Sequence, residues 1–82
     1  MSDADADPVS WFVIEPGWEV VDSSGDRVGT VAEVAGDTEN DIFNGLEVSS
    51  GLLGKSHYVP SENVGTIVQG RIALTVSKSD VL

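Results

Sequence analysis

Apolar and polar residues alternate in short runs along most of the chain, and clusters of turn-forming residues separate these runs. The clearest example is residues 20–34, where two valine-rich stretches flank Asp-Ser-Ser-Gly-Asp at residues 22–26. β-Branched residues favour strands and these turn formers favour a tight reversal, so the segment is predicted to be an antiparallel hairpin. The rest of the chain is predicted to repeat this arrangement.

The same pattern predicts about six short strands. They are placed at residues 18–22, 27–34, 42–49, 56–59, 66–69 and 71–76. Within the third strand, alternation places Leu46 and Val48 on one face and Phe43 on the other. The spacing of the valines in the second strand breaks strict alternation, so its faces are left unassigned.

The fold class that these strands predict is all-β: a small, closed, antiparallel barrel of about six strands. Side chains fill the interior of a barrel of this size, so no ligand cavity is expected. Residues 1–10 place aspartates between alanines and are predicted to be a disordered acidic tail. The barrel domain is assigned to residues 11–77, and residues 78–82 are assigned to a short C-terminal tail.

The chain is strongly acidic, since 14 Asp and Glu residues against 4 Lys and Arg give a net charge of −10. Such a surface repels phosphate backbones and anionic headgroups, so direct nucleic-acid binding is not expected. Three interpretations remain open: a basic partner, a solubilising tail, and adaptation to a high-salt cytoplasm, which best explains acids spread along the whole chain. Without a signal peptide or a long apolar run, the protein is predicted to be cytoplasmic, with no transmembrane segment.

The sequence contains no recognisable set of catalytic residues. The chain has no cysteine and one histidine, so a non-enzymatic protein without metal or cofactor is predicted. Asp37, Glu39 and Asp41 have the spacing of a calcium loop, but Ile42 and Val48 occupy the places where an EF-hand needs glycine and glutamate. A solvated acidic turn is the favoured interpretation.

Large apolar residues occur at three places outside the predicted strands: beside the acidic tail, at a loop tip, and at the C terminus. At each place they either pack on the barrel or serve as anchors for a partner. These candidates for protein contact are Trp11, Phe12, Leu52, Leu53, Val81 and Leu82.

Four segments, in this order and spacing, carry a family resemblance. They are PGWEVVD at residues 16–22, GDRVGTV at 25–31, YVPSENV at 58–64 and IAL at 72–74. Together they resemble the PRC-barrel family, the small β-barrels of the photosynthetic reaction centre H subunit and of a ribosome maturation factor. The resemblance implies a non-catalytic binding or adaptor module.

With its acidic composition, the chain is similar to short stand-alone haloarchaeal PRC-barrel proteins. That similarity implies an adaptor in FtsZ-based archaeal cell division, recruited to the division site at the membrane. The implied partners are a related PRC-barrel protein, in a homo- or heterodimer, and the membrane anchor SepF. The alternative implied by another branch of the family is an accessory module in ribosome maturation or RNA processing that contacts a ribosomal protein.

The high-salt interpretation makes a direct prediction about stability. Screening relieves repulsion among the acidic side chains, so the thermal midpoint should be higher in molar potassium chloride than in dilute buffer. The expected rise is about 4–8 °C for each kcal/mol of repulsion relieved, measured by circular dichroism at fixed pH. Equal midpoints in the two solutions would contradict this interpretation.

Overall fold

The computed structural model describes residues 7–51 and 55–82, which fold into a β-rich domain. The strands are β1 (Glu19–Val21), β2 (Arg27–Asp37), β3 (Ile42–Ser49), β4 (Ser56–Pro60), β5 (Val64–Val68) and β6 (Arg71–Leu74). Two 3₁₀ turns, Trp11–Val13 and Ser61–Asn63, and one short helix, α1 (Lys78–Val81), accompany them. The prediction of a mostly β protein is confirmed.

The six strands form a single sheet in the order β4-β3-β2-β1-β6-β5. Strands that follow one another in this order pair antiparallel, except that β1 and β6 are parallel, with Val20 opposite Ile72. The predicted closed antiparallel barrel is therefore wrong on two points, since the sheet is not closed and one of its pairs is parallel.

The short connection from β4 to β5 constrains the shape of the open sheet. These strands are the two edges of the sheet, yet only the three residues of Ser61–Asn63 separate them in sequence. The sheet must therefore curve so that its edges approach one another. A 3₁₀ turn occupies this connection, and Pro60 at the end of β4 has no N–H to donate to a further ladder.

The core is almost entirely aliphatic. Its buried residues are Ile14, Trp18, Val20, Val28, Val31, Leu46, Val48, Val59, Ile72 and Leu74. In β3 and β6 these residues alternate as predicted.

In β2 the pairing with β1 skips Val28, and the pairing with β3 skips Ala32. Each extra residue is a bulge that reverses the alternation, which explains how valines spaced three apart all face the core.

The described part of the predicted acidic tail follows the edge strand β5. Pro8 forms a bridge with Val68, and the N–H of Val9 donates to the carbonyl of Ile67 at 2.8 Å. The side chain of Val9 also packs against the core, which stabilises this attachment despite the polar composition nearby. Residues 1–6 of the predicted tail lie outside the described residues.

Among the described residues, the polar residue that is buried is Asp22, with 4% of its surface exposed. Its Oδ1 accepts hydrogen bonds from the N–H groups of Ser24 (2.9 Å) and Asp26 (2.8 Å), and its Oδ2 accepts one from the N–H of Lys78 (2.8 Å). One carboxylate thus joins the β1–β2 turn to α1. Residues 78–82, the predicted short C-terminal tail, are tied to the sheet by this contact and by Val81, which packs against the core.

The hydrogen bonds to Asp22 make its contribution to stability dependent on pH. The bond from Lys78, followed by those from the turn, lowers the pKa of Asp22, although desolvation acts in the opposite direction. Because the folded pKa is below the unfolded one, the stabilisation is fully present above the ordinary aspartate pKa of about 3.9. It is lost as the pH falls through the lowered folded pKa.

Asp22→Asn should therefore lower the thermal midpoint at neutral pH, because an amide cannot accept all three hydrogen bonds. The difference in midpoint between the two proteins should narrow as the pH falls through the folded pKa of Asp22. Melting curves of both proteins between pH 7 and pH 2 measure this difference, and the other carboxylates, present in both, act as an internal control. A difference that stays constant with pH would show that the carboxylate charge has no role.

Leu74 provides a test of the core, because it is a leucine buried to 3% exposure on β6. Leu74→Ala should lower the free energy of unfolding by about 2 to 5 kcal/mol, through lost burial and the cavity left behind. Leu82→Ala is the matched control. Leu82 is 50% exposed, so this substitution should lower the free energy of unfolding far less. Urea unfolding of the two variants measures both effects, and similar losses would contradict the assignment of the core.

Candidate protein-binding surface

Four of the five aromatic residues of the chain lie outside the buried core. Trp18 is buried, whereas Phe12 and Tyr58 are each 51% exposed and Trp11 and Phe43 are half-buried. Aromatic side chains bury large areas when they are placed in a core. Their position at the surface marks this region as a candidate site.

The 3₁₀ turn Trp11–Val13 positions the first two aromatic rings. Ser10 begins the turn, and its Oγ accepts a hydrogen bond from the N–H of Phe12 at 3.1 Å. The ring of Trp11 stacks on Phe43, with centroids 5.2 Å apart and an angle of 17° between the planes. The ring of Phe12 contacts the ring of Trp11 edge to face, with the two ring centroids 4.7 Å apart. The stack thus supports an exposed Phe12 on a half-buried Trp11.

The indole of Trp11 is held in place from two sides. Its Nε1–H donates to Oδ1 of Asp41 at 3.0 Å. Gly36 lies against the ring, since a Cβ at this position would be 3.0 Å from two ring carbons and 2.5 Å from the carbonyl oxygen of Ile42. A glycine is needed for so close an approach. Trp11 is therefore a fixed platform for Phe12.

Tyr58 extends the aromatic surface across β3 to β4. Its hydroxyl donates to the carbonyl oxygen of Asn44 at 2.7 Å, beside Phe43. Its ring lies over Gly45, where a Cβ would be 2.7 Å from Oη and 2.8 Å from Cζ. We call the group formed by Phe12, Trp11, Phe43 and Tyr58 the aromatic band.

The border of the aromatic band is acidic. Glu33 and Glu47 are directly opposite one another on β2 and β3, and Glu47 is opposite Tyr58 on β4. Like charges at directly opposed positions repel one another, and no ion pair with either glutamate lies within 4.0 Å in the described residues. Asp41 contributes a further carboxylate beside Trp11. The border therefore suits a molecule that carries positive charge.

The loop with calcium-like spacing uses its first carboxylate to hold its own turn. Oδ1 of Asp37 accepts from the N–H of Glu39 at 3.0 Å, and Oδ2 accepts from Nδ2 of Asn40 at 2.7 Å. The side-chain bond from Asn40, followed by the backbone bonds, lowers the pKa of Asp37 despite some desolvation. Within residues 7–51 and 55–82, no cluster of three or more His, Cys, Asp or Glu is arranged to hold a metal ion.

Two of the residues predicted from sequence to contact a partner belong to the aromatic band. Phe12 is exposed, whereas Trp11 is half-buried and packs against the core. At the C terminus, Val81 packs against the core and Leu82 is exposed. The other two candidates, Leu52 and Leu53, lie outside the described residues.

Sequence reasoning did not select Phe43 and Tyr58. The alternation in β3 does place Phe43 on the face opposite Leu46, which was the available signal for an outward aromatic side chain. In β4, Tyr58 precedes the buried Val59, so the same alternation turns it outward. What alternation could not show is that Trp11, distant in sequence, stacks on this face.

The fold and surface define a small, open-sheet β domain with an external aromatic band. Residues 14–82 match the family described as "Uncharacterized protein conserved in bacteria (DUF2171)", and the protein belongs to that family. No match to the PRC-barrel family is found, so the predicted membership of that family is wrong. The segments on which the resemblance rested are strand and turn sequences that many small β domains share.

The family match extends to the last residue and so includes α1, in agreement with the contact between Asp22 and Lys78. No curated protein matches the chain significantly. Among the described residues, none of the helices has the length and apolar character required to cross a bilayer.

Proposed function

We propose that this protein is a non-enzymatic protein-binding module and that the aromatic band is its contact surface. The observation that supports this proposal is the position of Phe12, half exposed to solvent yet held on Trp11, which itself stacks on Phe43. A side chain already held in place loses little conformational entropy when a partner binds it. Aromatic side chains of this kind carry a large share of binding energy at protein interfaces.

The partner that fits the aromatic band best is a protein whose contact surface has an apolar centre and a rim of lysine or arginine. The opposed Glu33 and Glu47 beside Tyr58 would gain from a positive charge placed between them. A guanidinium or ammonium group can also lie against an aromatic face. The acidic composition thus has a specific use at this surface.

A second copy of the chain is the other candidate partner. It is favoured by the composition of the band, since four aromatic side chains on one chain can pack against the same four on another. In such a homodimer the two acidic borders approach one another. Association would therefore strengthen as salt screens their repulsion.

The narrower expectation of a role in FtsZ-based cell division, with SepF or a PRC-barrel partner, rested on the resemblance to the PRC-barrel family. The expectation of a role in ribosome maturation rested on the same resemblance. Neither forms part of the proposal, which depends on the aromatic band and its charges.

Phe12→Ser should weaken partner binding by about 5- to 150-fold, because a single aromatic anchor at an interface contributes ~1 to 3 kcal/mol. Its thermal midpoint should stay close to that of the wild type, since the ring is half exposed and lies outside the buried core. The matched control is Ile42→Ser, because Ile42 is equally exposed but lies on the face of β3 opposite Phe43. Affinity capture from the native host, at matched salt, compares the three proteins.

Light scattering in dilute buffer and in molar potassium chloride separates the two candidate partners. A dimer that forms at molar salt and is lost in Phe12→Ser would identify a second copy. A monomer at both salt concentrations, together with a basic protein captured by the wild type and by Ile42→Ser but not by Phe12→Ser, would identify another protein. A monomer with no capture that depends on Phe12 would overturn the proposed function.

A further inference from the structure

A groove of about 500 Å³ lies between the start of β2 and the residues that follow β3, away from the residues of the aromatic band. This volume is within the range of sites that bind small molecules. Arg27 and Lys78 line the groove and are two of the four basic residues in the chain. None of the described residues that line it is acidic, although the chain has 14 acidic residues. The described lining of the groove therefore carries two positive charges and no carboxylate, on a protein that is otherwise acidic.

The two walls of the groove are held together by a close backbone contact. A Cβ at Gly29 would overlap the carbonyl oxygen of Ser49 and would be 3.0 Å from Cα of Ser50. Only glycine permits this approach, which places Thr30 on one wall close to Ser49 and Ser50 on the other. Three residues that carry hydroxyl groups thus line the same groove as the two basic residues.

Asp22 fixes the backbone beside both basic residues. Its Oδ1 accepts from the N–H of Asp26, which immediately precedes Arg27, and its Oδ2 accepts from the N–H of Lys78 itself. Arg27 and Lys78 are far apart in the sequence, and this buried carboxylate, with the hydrogen bond from the N–H of Ser23 to the carbonyl of Val76, holds their two segments side by side. The backbone positions that carry the two basic side chains are therefore held close together by the fold before any ligand binds.

The charged groups of the groove are available to a ligand. The only ion pair that Arg27 makes in the described structure is with Glu19, at 3.8 Å between two largely exposed side chains, and such a pair contributes little. The ammonium group of Lys78 has no carboxylate within 4.0 Å among the described residues. Ser50 Oγ lies 3.1 Å from Nε2 of His57, which orients this hydroxyl.

We propose that this groove binds the phosphate group of a small phosphorylated molecule. A phosphate offers more acceptor oxygens than a carboxylate, and so makes use of a guanidinium, an ammonium and several hydroxyl groups together. A nucleic acid is a poor fit, because its neighbouring phosphates would meet the acidic remainder of the surface. The volume of the groove leaves room for a sugar-sized group beside the phosphate.

The test is a nuclear magnetic resonance titration of the ¹⁵N-labelled protein with inorganic phosphate and, separately, with glycerol 3-phosphate. Potassium chloride at equal ionic strength is the reference titration. We expect saturable shifts of the amides of Thr30, Ser49, Ser50 and Gly51 that chloride does not reproduce. Tighter binding of glycerol 3-phosphate would indicate a phosphorylated metabolite, whereas equal or tighter binding of inorganic phosphate would indicate the free ion as the ligand.

Charge variants show whether the basic residues of the groove are responsible for phosphate binding. Arg27→Gln and Lys78→Gln should each weaken phosphate binding by about tenfold or more, since each removes a charged hydrogen-bond donor. Lys55→Gln makes the same change in net charge outside the groove and should leave the affinity within about twofold. Folding of every variant is checked from its amide spectrum. Absence of saturable shifts in the wild type, or equal loss of affinity in all three variants, would overturn the proposal.

Discussion

The arrangement of this small domain depends on one buried carboxylate. Asp22 accepts backbone hydrogen bonds from the β1–β2 turn on one side and from α1 on the other. In a chain of 82 residues without cysteine, this carboxylate and the packing of Val81 tie the C-terminal helix to the sheet. Burial of a charge is unfavourable unless its hydrogen bonds are made, and the three N–H donors meet that requirement here. The same contact brings the two basic side chains of the groove together.

Most aromatic side chains of this small domain lie outside its core. Aliphatic residues and one tryptophan fill the core, while the remaining aromatic residues form a band on the outside. Two glycines permit this arrangement, because Gly36 lies against the ring of Trp11 and Gly45 lies under Tyr58. The rings of Trp11 and Tyr58 thus pack closely on backbone and remain partly accessible to solvent.

Charge is also distributed unevenly, despite a net value of −10. Glutamates face one another at the border of the aromatic band, whereas the groove brings together Arg27 and Lys78 without an acidic lining residue in the described structure. The average composition therefore says little about what each surface attracts. A local field depends on which side chains the fold brings within a Debye length of one another, about 8–10 Å at moderate ionic strength.

The sequence by itself determined the β-rich class, the bounds of β3, the alternation of Leu46 and Val48, and the reversal at residues 22–26, because these depend on neighbours within a few residues. Only the tertiary structure decided that β1 pairs in parallel with β6, that two bulges bring all the β2 valines to the core, and that the sheet stays open. It also decided that Trp11 stacks on Phe43 and that Asp22 holds Lys78. These contacts join segments far apart in the chain, and their free energy depends on packing in three dimensions, which local periodicity does not record.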